Sequence, residues 1–424
     1  MRPVSLLTIF LFIAVASLDA SSLLADKIAS TEALPYRSPL NVAWSPDGRC
    51  IAVTDRTAGC LYLIDTERLP NENNGKRASD LQKMPPEGLK REVKLRGRPT
   101  SPAWIDDSHL LVTEYDAGSV AMIDTKSGDV ARRYSVGPKP YGIAIAPRSG
   151  RFVVTDYGLG RLDIVDLNSG NITGSASIGP LPGFVAITPD GKTAVVGNQG
   201  VRGPSSDLNA SATVTIIDLD TAEIRAELAL PGGATNIRMV AIEPQGRWAY
   251  AVHTRGRVDL QTTQLDRGWT NTNAFSIVDL RNSELYATLL IDSVDAGSAD
   301  PWGIALSGDG KKAFITLAGI HELACIDLAR LHYFLEGDPD EPLDFGVYAR
   351  NVDHIWETVR RTPEFRVQEL ALHVSAICEA GLMTRHPLPL KGPRGIGISP
   401  DGEKLAVVGY FDGGLLLLDS IQAE

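Results

Sequence analysis

The chain has 424 residues, with 41 basic and 52 acidic side chains, a formal net charge of −11 and an isoelectric point near 5.2. No basic stripe runs along it, which excludes the electrostatic footprint of a nucleic-acid binder; an acidic balance of this kind speaks mainly to solubility. The four cysteines, Cys50, Cys60, Cys325 and Cys378, form no CxxC pair, so no zinc ribbon, thioredoxin-type dithiol or c-type haem attachment is encoded.

Residues 1–20 have the make-up of a secretory leader: Arg2, an apolar run over 4–16, then small residues, with cleavage expected after Ala16 or Ala20. The run falls short of the ~20 residues of a comfortable bilayer span. A secreted or periplasmic protein with no membrane span after leader removal is expected; an uncleaved anchor is the alternative. No cysteine near the cleavage site signals a lipoprotein.

From residue 38 one phrase returns seven times: an apolar strand, a Pro-Asp-Gly-like turn, a second strand, a loop, and a third strand ending in Asp. The clearest copy runs Lys139-Pro140-Tyr141-Gly142-Ile143-Ala144-Ile145-Ala146-Pro147, then Arg151-Phe152-Val153-Val154-Thr155-Asp156, then Leu162-Asp163-Ile164-Val165-Asp166. The third strands end at Asp65, Asp124, Asp166, Asp218, Asp279, Asp327 and Asp419. In turns such as Ser45-Pro46-Asp47-Gly48 and Pro400-Asp401-Gly402, Pro presets φ and Gly accepts φ above zero. Outer strands are expected over 92–95, 132–136, 175–178 and 227–230. Four antiparallel strands per unit, unable to bury both faces alone, stack around an axis. The expected fold is all-β: a seven-bladed β-propeller over 21–424 in a single domain. The last repeat lacks an outer strand after Asp419, and residues 23–33 are expected to supply it, closing N- and C-terminal segments in one blade.

Four insertions break the period. Residues 67–91 are charged and read as an exposed loop. Residues 199–211 and 253–273 interrupt blades four and five. Residues 329–386 follow blade six and are expected to be partly helical, over 353–361 and 364–380, with Val367, Leu370, Ala371, Val374, Ile377 and Cys378 on one face. The second and third insertions open on the face that also carries the loops leading into the first strands. Loops on a rigid scaffold carry function more often than strands do, so this face is the candidate binding surface.

Second-strand ends present Asp55, Glu114, Asp156, Asn198 and Thr254; three acids suit a hard cation, but capping of loop amides, or pairing with Arg56 or Arg161, is the favoured reading and no metal is expected. First-strand starts present Asn41, Tyr141, Phe184, Arg238, Trp302 and Arg394. These arginines suit an organic anion through the guanidinium fork, with neutralisation of the nearby acids as the favoured alternative. His253 with Arg255, and His321, are the best polar candidates in the blade-five and blade-six loops. In the blade-five loop Gln264, Arg267, Asn271 and Asn273 supply directional donors and Trp269 a flat wall, a mixture that both small-molecule and protein sites use; self-packing explains it equally well. No nucleophile elbow or His-Glu-x-x-His helix occurs, so no catalytic residue is assigned. Asn171-Ile172-Thr173 and Asn209-Ala210-Ser211 match the glycosylation pattern. Cys60 should face Asp55, leaving Cys50 about 15 Å away at ~3.3 Å per residue, too far for a disulfide. A Cys325–Cys378 bridge stays open, with free buried thiols favoured.

The units Arg151-Phe152-Val153-Val154-Thr155-Asp156 and Lys404-Leu405-Ala406-Val407-Val408-Gly409 resemble YVTN-type seven-bladed propeller repeats, over about residues 38–420. The stretch from Leu260 through Asp266-Arg267-Gly268-Trp269 to Ala274, with Ala299-Asp300-Pro301-Trp302-Gly303 and Ala318-Gly319-Ile320-His321-Glu322-Leu323, is similar to loops of exported bacterial propellers that often precede a di-haem cytochrome c peroxidase-like domain. No CxxCH occurs here, so no haem cofactor is carried over. The resemblance implies an exported, non-catalytic scaffold beside a redox partner, a c-type cytochrome or another envelope protein. The alternatives are a propeller enzyme, lactonase-like or quinoprotein dehydrogenase-like, and an organic-anion binding module.

Overall fold

A computed structural model describes residues 36–69, 82–204, 206–257, 270–336 and 362–420. Seven antiparallel sheets are formed. The innermost strand of each packs on that of the next, and Pro393–Ile398 of the seventh packs on Pro39–Trp44 of the first, closing the ring. This is the expected seven-bladed β-propeller. The third strands end at all seven named aspartates. Six of them turn the chain toward the outer strand by accepting amides two or three residues on, as Asp124 does from Lys126 and Ser127.

Two devices set the distance between blades. A threonine one residue before the end of the second strand reaches the next blade's inner strand. Thr54 donates to the Thr100 carbonyl, Thr113 to Tyr141, Thr155 to Gly183 and Thr316 to Arg394. Glycine then removes the side chain where inner strands nearly touch: a Cβ at Gly142 would sit 2.7 Å from the Gly183 carbonyl, and one at Gly395 2.5 Å from the Asn41 Cα. Between the leading Pro and the apolar run, the inner strands of six blades also shift register. Such bulges re-aim the side chain beside them. In Pro140-Tyr141-Gly142, Pro301-Trp302-Gly303 and Pro393-Arg394-Gly395 that residue is Tyr141, Trp302 and Arg394.

Among the described residues, the outer edge of the last blade is occupied by a short strand from the first insertion. Gln82–Lys83 lies beside Gly414–Asp419, with Lys83 opposite Gly414 and Gln82 opposite Leu415. Lys83 pairs with Asp412 at 3.0 Å, and the Met84 amide donates to the Gly413 carbonyl. Residues 23–33 lie outside the described residues. The charged insertion 67–91 is therefore more than an exposed loop: its C-terminal part crosses to blade seven before returning as Leu89–Lys94, the outer strand of blade one.

After blade six come α1 (Leu328–Glu336), α2 (Pro363–Leu372) and α3 (Ala376–Glu379), with α2 and α3 against the outer strand of blade five. The expected face holds at Leu370, Val374 and Ile377, all buried. The helix breaks at Ser375, whose φ is 69° and whose amide donates to the Asp292 carbonyl. Residues 353–361 lie outside the described residues, and α1 is an addition to the expected elements. Among the described residues no helix is long and apolar enough to cross a membrane. All four cysteines are free, and Cys60 stands opposite Asp55 as counted.

Candidate functional site

The chain turns after the second strands and the starts of the inner strands meet on one face, at the mouth of the central channel. Ser38, just before the first inner strand, donates its amide to Asp55 at the end of the second. Around this mouth the bulged inner strands and the residues following the second strands build an aromatic layer. Tyr141 lies 5.0 Å from Phe184, 5.3 Å from Tyr157 and 6.2 Å from Tyr115, ring centre to ring centre. Cations rest on these faces. The Arg238 and Arg394 guanidiniums both lie 4.1 Å from the Trp302 ring centre, and Arg394 lies 3.5 Å from that of Tyr410. Arg56, Arg98 and Lys139 lie over Tyr115.

Burial and charge tune these groups in opposite senses. Burial raises the Tyr141 phenol above its ordinary value, while Arg238, Arg56 and Arg394 pull it back. Burial also lowers Arg394, opposed by Tyr410 and Asp300; a guanidinium nonetheless stays charged. Asp116 is held well below the usual carboxylate range by its hydrogen bond from Arg98, aided by Lys139.

Five of the first-strand residues singled out from sequence, Tyr141, Phe184, Arg238, Trp302 and Arg394, come together here. The expected neutralisation of second-strand acids by the axial arginines does not occur. Asp55 accepts the Ser38 and Ala58 amides, Asp156 those of Gly158 and Leu159, and Glu114 binds Arg133 at 2.9 Å. Arg161 pairs with Asp163 and not with Asp156. Arg238 reaches Gln199, and Asp300 at 3.6 Å. Asp55 and Asp156 cap loop amides, as the favoured reading has it, while Glu114 combines the Arg96 amide with its ion pair to Arg133.

The remaining candidates sit elsewhere. His253 is not a rim residue: the second strand of blade five runs on to Gly256, and His253 is buried within its sheet, 2.9 Å from the Ser276 hydroxyl, with burial lowering its pKa to about 4. Arg255 donates to the Ala371 carbonyl of α2. Asn273 is buried and bonds Asp292 through backbone and side chain, and Asn271 is exposed in the same strand. His321 is exposed and accepts the Gly392 amide. Arg255 is near enough to His253 to help lower its pKa, but His253 is fully buried with its ring against Ser276. Gln264, Arg267 and Trp269 lie outside the described residues. Sequence reading passed over Tyr115, Tyr157 and Tyr410. Each directly follows the second strand's last residue, as Arg56 follows Asp55, and counting one position past the repeat would have found them.

No family model matches the chain. Over 185 residues it is 23% identical to hydrazine synthase subunit beta of Kuenenia stuttgartiensis; the match takes in 44% of this chain and 41% of that protein, less than half of the relative's length. A solved chain of Kuenenia stuttgartiensis hydrazine synthase superposes with a TM-score of 0.69 at 20% identity, over 92% of this chain and 98% of that one. The β-propeller domain of Myceliophteria thermophila Cps50 (Swd1) does so with a TM-score of 0.56 at 14% identity, over 90% and 95%. At these identities the likeness establishes the fold: a seven-bladed β-propeller similar in structure to a hydrazine synthase chain.

Proposed function

We propose that this chain is an exported, non-catalytic propeller scaffold that docks a partner through the channel-mouth face, as an accessory to an envelope redox protein. The observation that carries the reading is the cluster of Trp302, Arg238, Arg394 and Tyr410. Trp, Arg and Tyr dominate the energetics of protein interfaces, because each offers a large face together with directed polar edges. Similarity to a protein named as a subunit of hydrazine synthase favours a role within an assembly. The YVTN-type repeat, and the likeness to propellers that precede di-haem peroxidase-like domains, favour a c-type cytochrome or another envelope protein as the partner. The leader-like residues 1–20 support export. The enzyme reading loses its best candidates, since His253 is occupied inside a sheet and Arg255 on a helix carbonyl.

The test is capture of partners from envelope extract on the purified chain, with haem staining and crosslinking of what is held. Saturable capture that Trp302→Ala and Arg394→Ala abolish, with thermal unfolding of both variants near that of the parent, is the expected result. Equal capture by parent and variants, or none by either, removes the proposal.

A further inference from the structure

We infer that the channel mouth binds two carboxylates spaced a few carbons apart, as in a short dicarboxylic acid or on one acidic peptide. This deepens the docking reading above by naming the chemistry its face accepts. The chain as a whole is acidic, yet among the described residues the ion pairs made by Arg98, Lys139 and Arg238 at this mouth reach only Asp116 and Asp300. Asp116 is taken by Arg98 at 2.7 Å and Lys139 at 3.4 Å, and Asp300 stands 3.6 Å from Arg238. Among the described residues Arg56 and Arg394 have no ion pair and no side-chain hydrogen bond; their charge rests on aromatic faces. A stacked guanidinium keeps its N–H edge free, and that edge fits a carboxylate in a two-pronged bond.

A second observation points the same way. Trp302 is only 4% exposed, and its indole N–H finds no acceptor among the described residues. Buried donors are normally satisfied, and an orphan marks a place where an acceptor is missing. Spacing and the neighbouring apolar surface then narrow the ligand. Both guanidinium carbons lie 4.1 Å from the same ring centre, so they stand within about 8 Å of each other, a span over which two carboxylates can each meet one fork. A phosphate can bridge two forks this close, but it leaves the apolar surface beside them uncovered. The partly buried rings of Tyr115 and Tyr157, packed on the buried Tyr141 and Phe184, offer apolar surface to the carbon chain between the carboxylates.

Calorimetry on the full chain in low-chloride buffer tests this with succinate, glutarate, acetate, inorganic phosphate and a Glu-Glu peptide as probes. Succinate or glutarate, or the peptide, should bind saturably and about tenfold or more above acetate. Arg394→Gln and Arg238→Gln should each weaken that binding about tenfold or more, with thermal unfolding of the unliganded variants as the check on folding. Should Arg394→Gln not fold, Arg394→Lys keeps the charge without the fork and should also weaken binding. Tighter binding of the peptide assigns the site to protein-borne carboxylates, and tighter binding of the free acids assigns it to a soluble ligand. Absence of saturable heat from all dicarboxylates and the peptide, phosphate binding as tightly as they do, or no effect of Arg394→Gln overturns the inference. Succinate binding without any captured envelope partner would overturn the docking reading alone; partner capture without any carboxylate heat would overturn this one alone.

Discussion

The Thr316 hydroxyl donates to the Arg394 carbonyl at 2.7 Å, across the seam between blades six and seven, while accepting the Gly303 amide at 2.8 Å. One buried side chain thus holds the backbone of both residues that flank the site, Trp302-Gly303 and Arg394. Replacing it by Val keeps the shape and orphans a buried donor and a buried acceptor. We expect Thr316→Val to lose about 1–3 kcal/mol in urea unfolding and Thr316→Ser to lose much less. Equal losses would mean that the methyl group, and not the hydroxyl, supports the seam.

Gly303 and Gly308 form a matched pair. A Cβ at Gly303 would lie 2.4 Å from the Arg394 carbonyl oxygen, whereas one at Gly308 would meet nothing within 4 Å. Because the obstacle at Gly303 is backbone, relief requires two inner strands to move apart. Gly303→Ala should cost about 1–3 kcal/mol, as overpacked cores do. Gly308→Ala should be neutral or slightly stabilising, since it narrows the unfolded ensemble. Thermal unfolding of both variants decides it, and a destabilised Gly308→Ala would refute the contrast.

The propeller was legible because each of its parts is local. A tight turn, Pro-Asp-Gly in three copies, a short apolar run and a closing Asp need only a few neighbouring residues, and all seven third strands end in that Asp. The closing strand was not, because Gln82–Lys83 has two residues and no periodicity to read, and its partner is over 300 positions away. His253 was misplaced for a similar reason: the blade-five hairpin is longer than its siblings, with Trp248–Gly256 paired along Asn271–Asp279, so a strand residue was counted as loop. Arg238, Trp302 and Arg394 were found because their register repeats. Their stacking was not, since the choice between an acid and an aromatic face depends on which blade neighbours which.

Met84 anchors the latch between the first and last blades. It is buried in one cluster with Tyr62 and Leu69 from the blade-one side and Leu415 from blade seven, and its amide continues the pairing to Gly413. Truncation to Ala removes apolar contacts on both sides of the seam. Met84→Ala should cost about 2–5 kcal/mol. Amide exchange should quicken first in Gly414–Asp419, whose outer neighbour it holds. Uniform exchange over all blades would show that the ring opens as one unit and that this seam has no special role.

Two imidazoles, His253 fully buried and His332 partly buried, should make the fold sensitive to mild acid. Burial lowers both His253 and His332 to about 4 from an ordinary 6.5. Each has a partner suited to the neutral ring: the Ser276 hydroxyl for His253, and the Tyr250 hydroxyl, 2.9 Å away, for His332. Between these limits the unfolded chain binds protons that the folded chain refuses. Their contribution is therefore fully present above pH 6.5 and is lost as pH falls toward 4, by at most about 3 kcal/mol per site. Asp292 and Glu243, raised by burial, act in the opposite sense at the acid end, so the net slope is smaller than the histidine sum. Asp116, lowered by Arg98, loses its contribution only below the ordinary carboxylate value of 3.8, outside this window. Comparison with His253→Gln, which keeps a polar group and cannot titrate, isolates one site. Urea unfolding of the parent should weaken more than that of the variant between pH 7.5 and pH 5; parallel pH profiles would mean that His253 does not resist protonation in the folded chain.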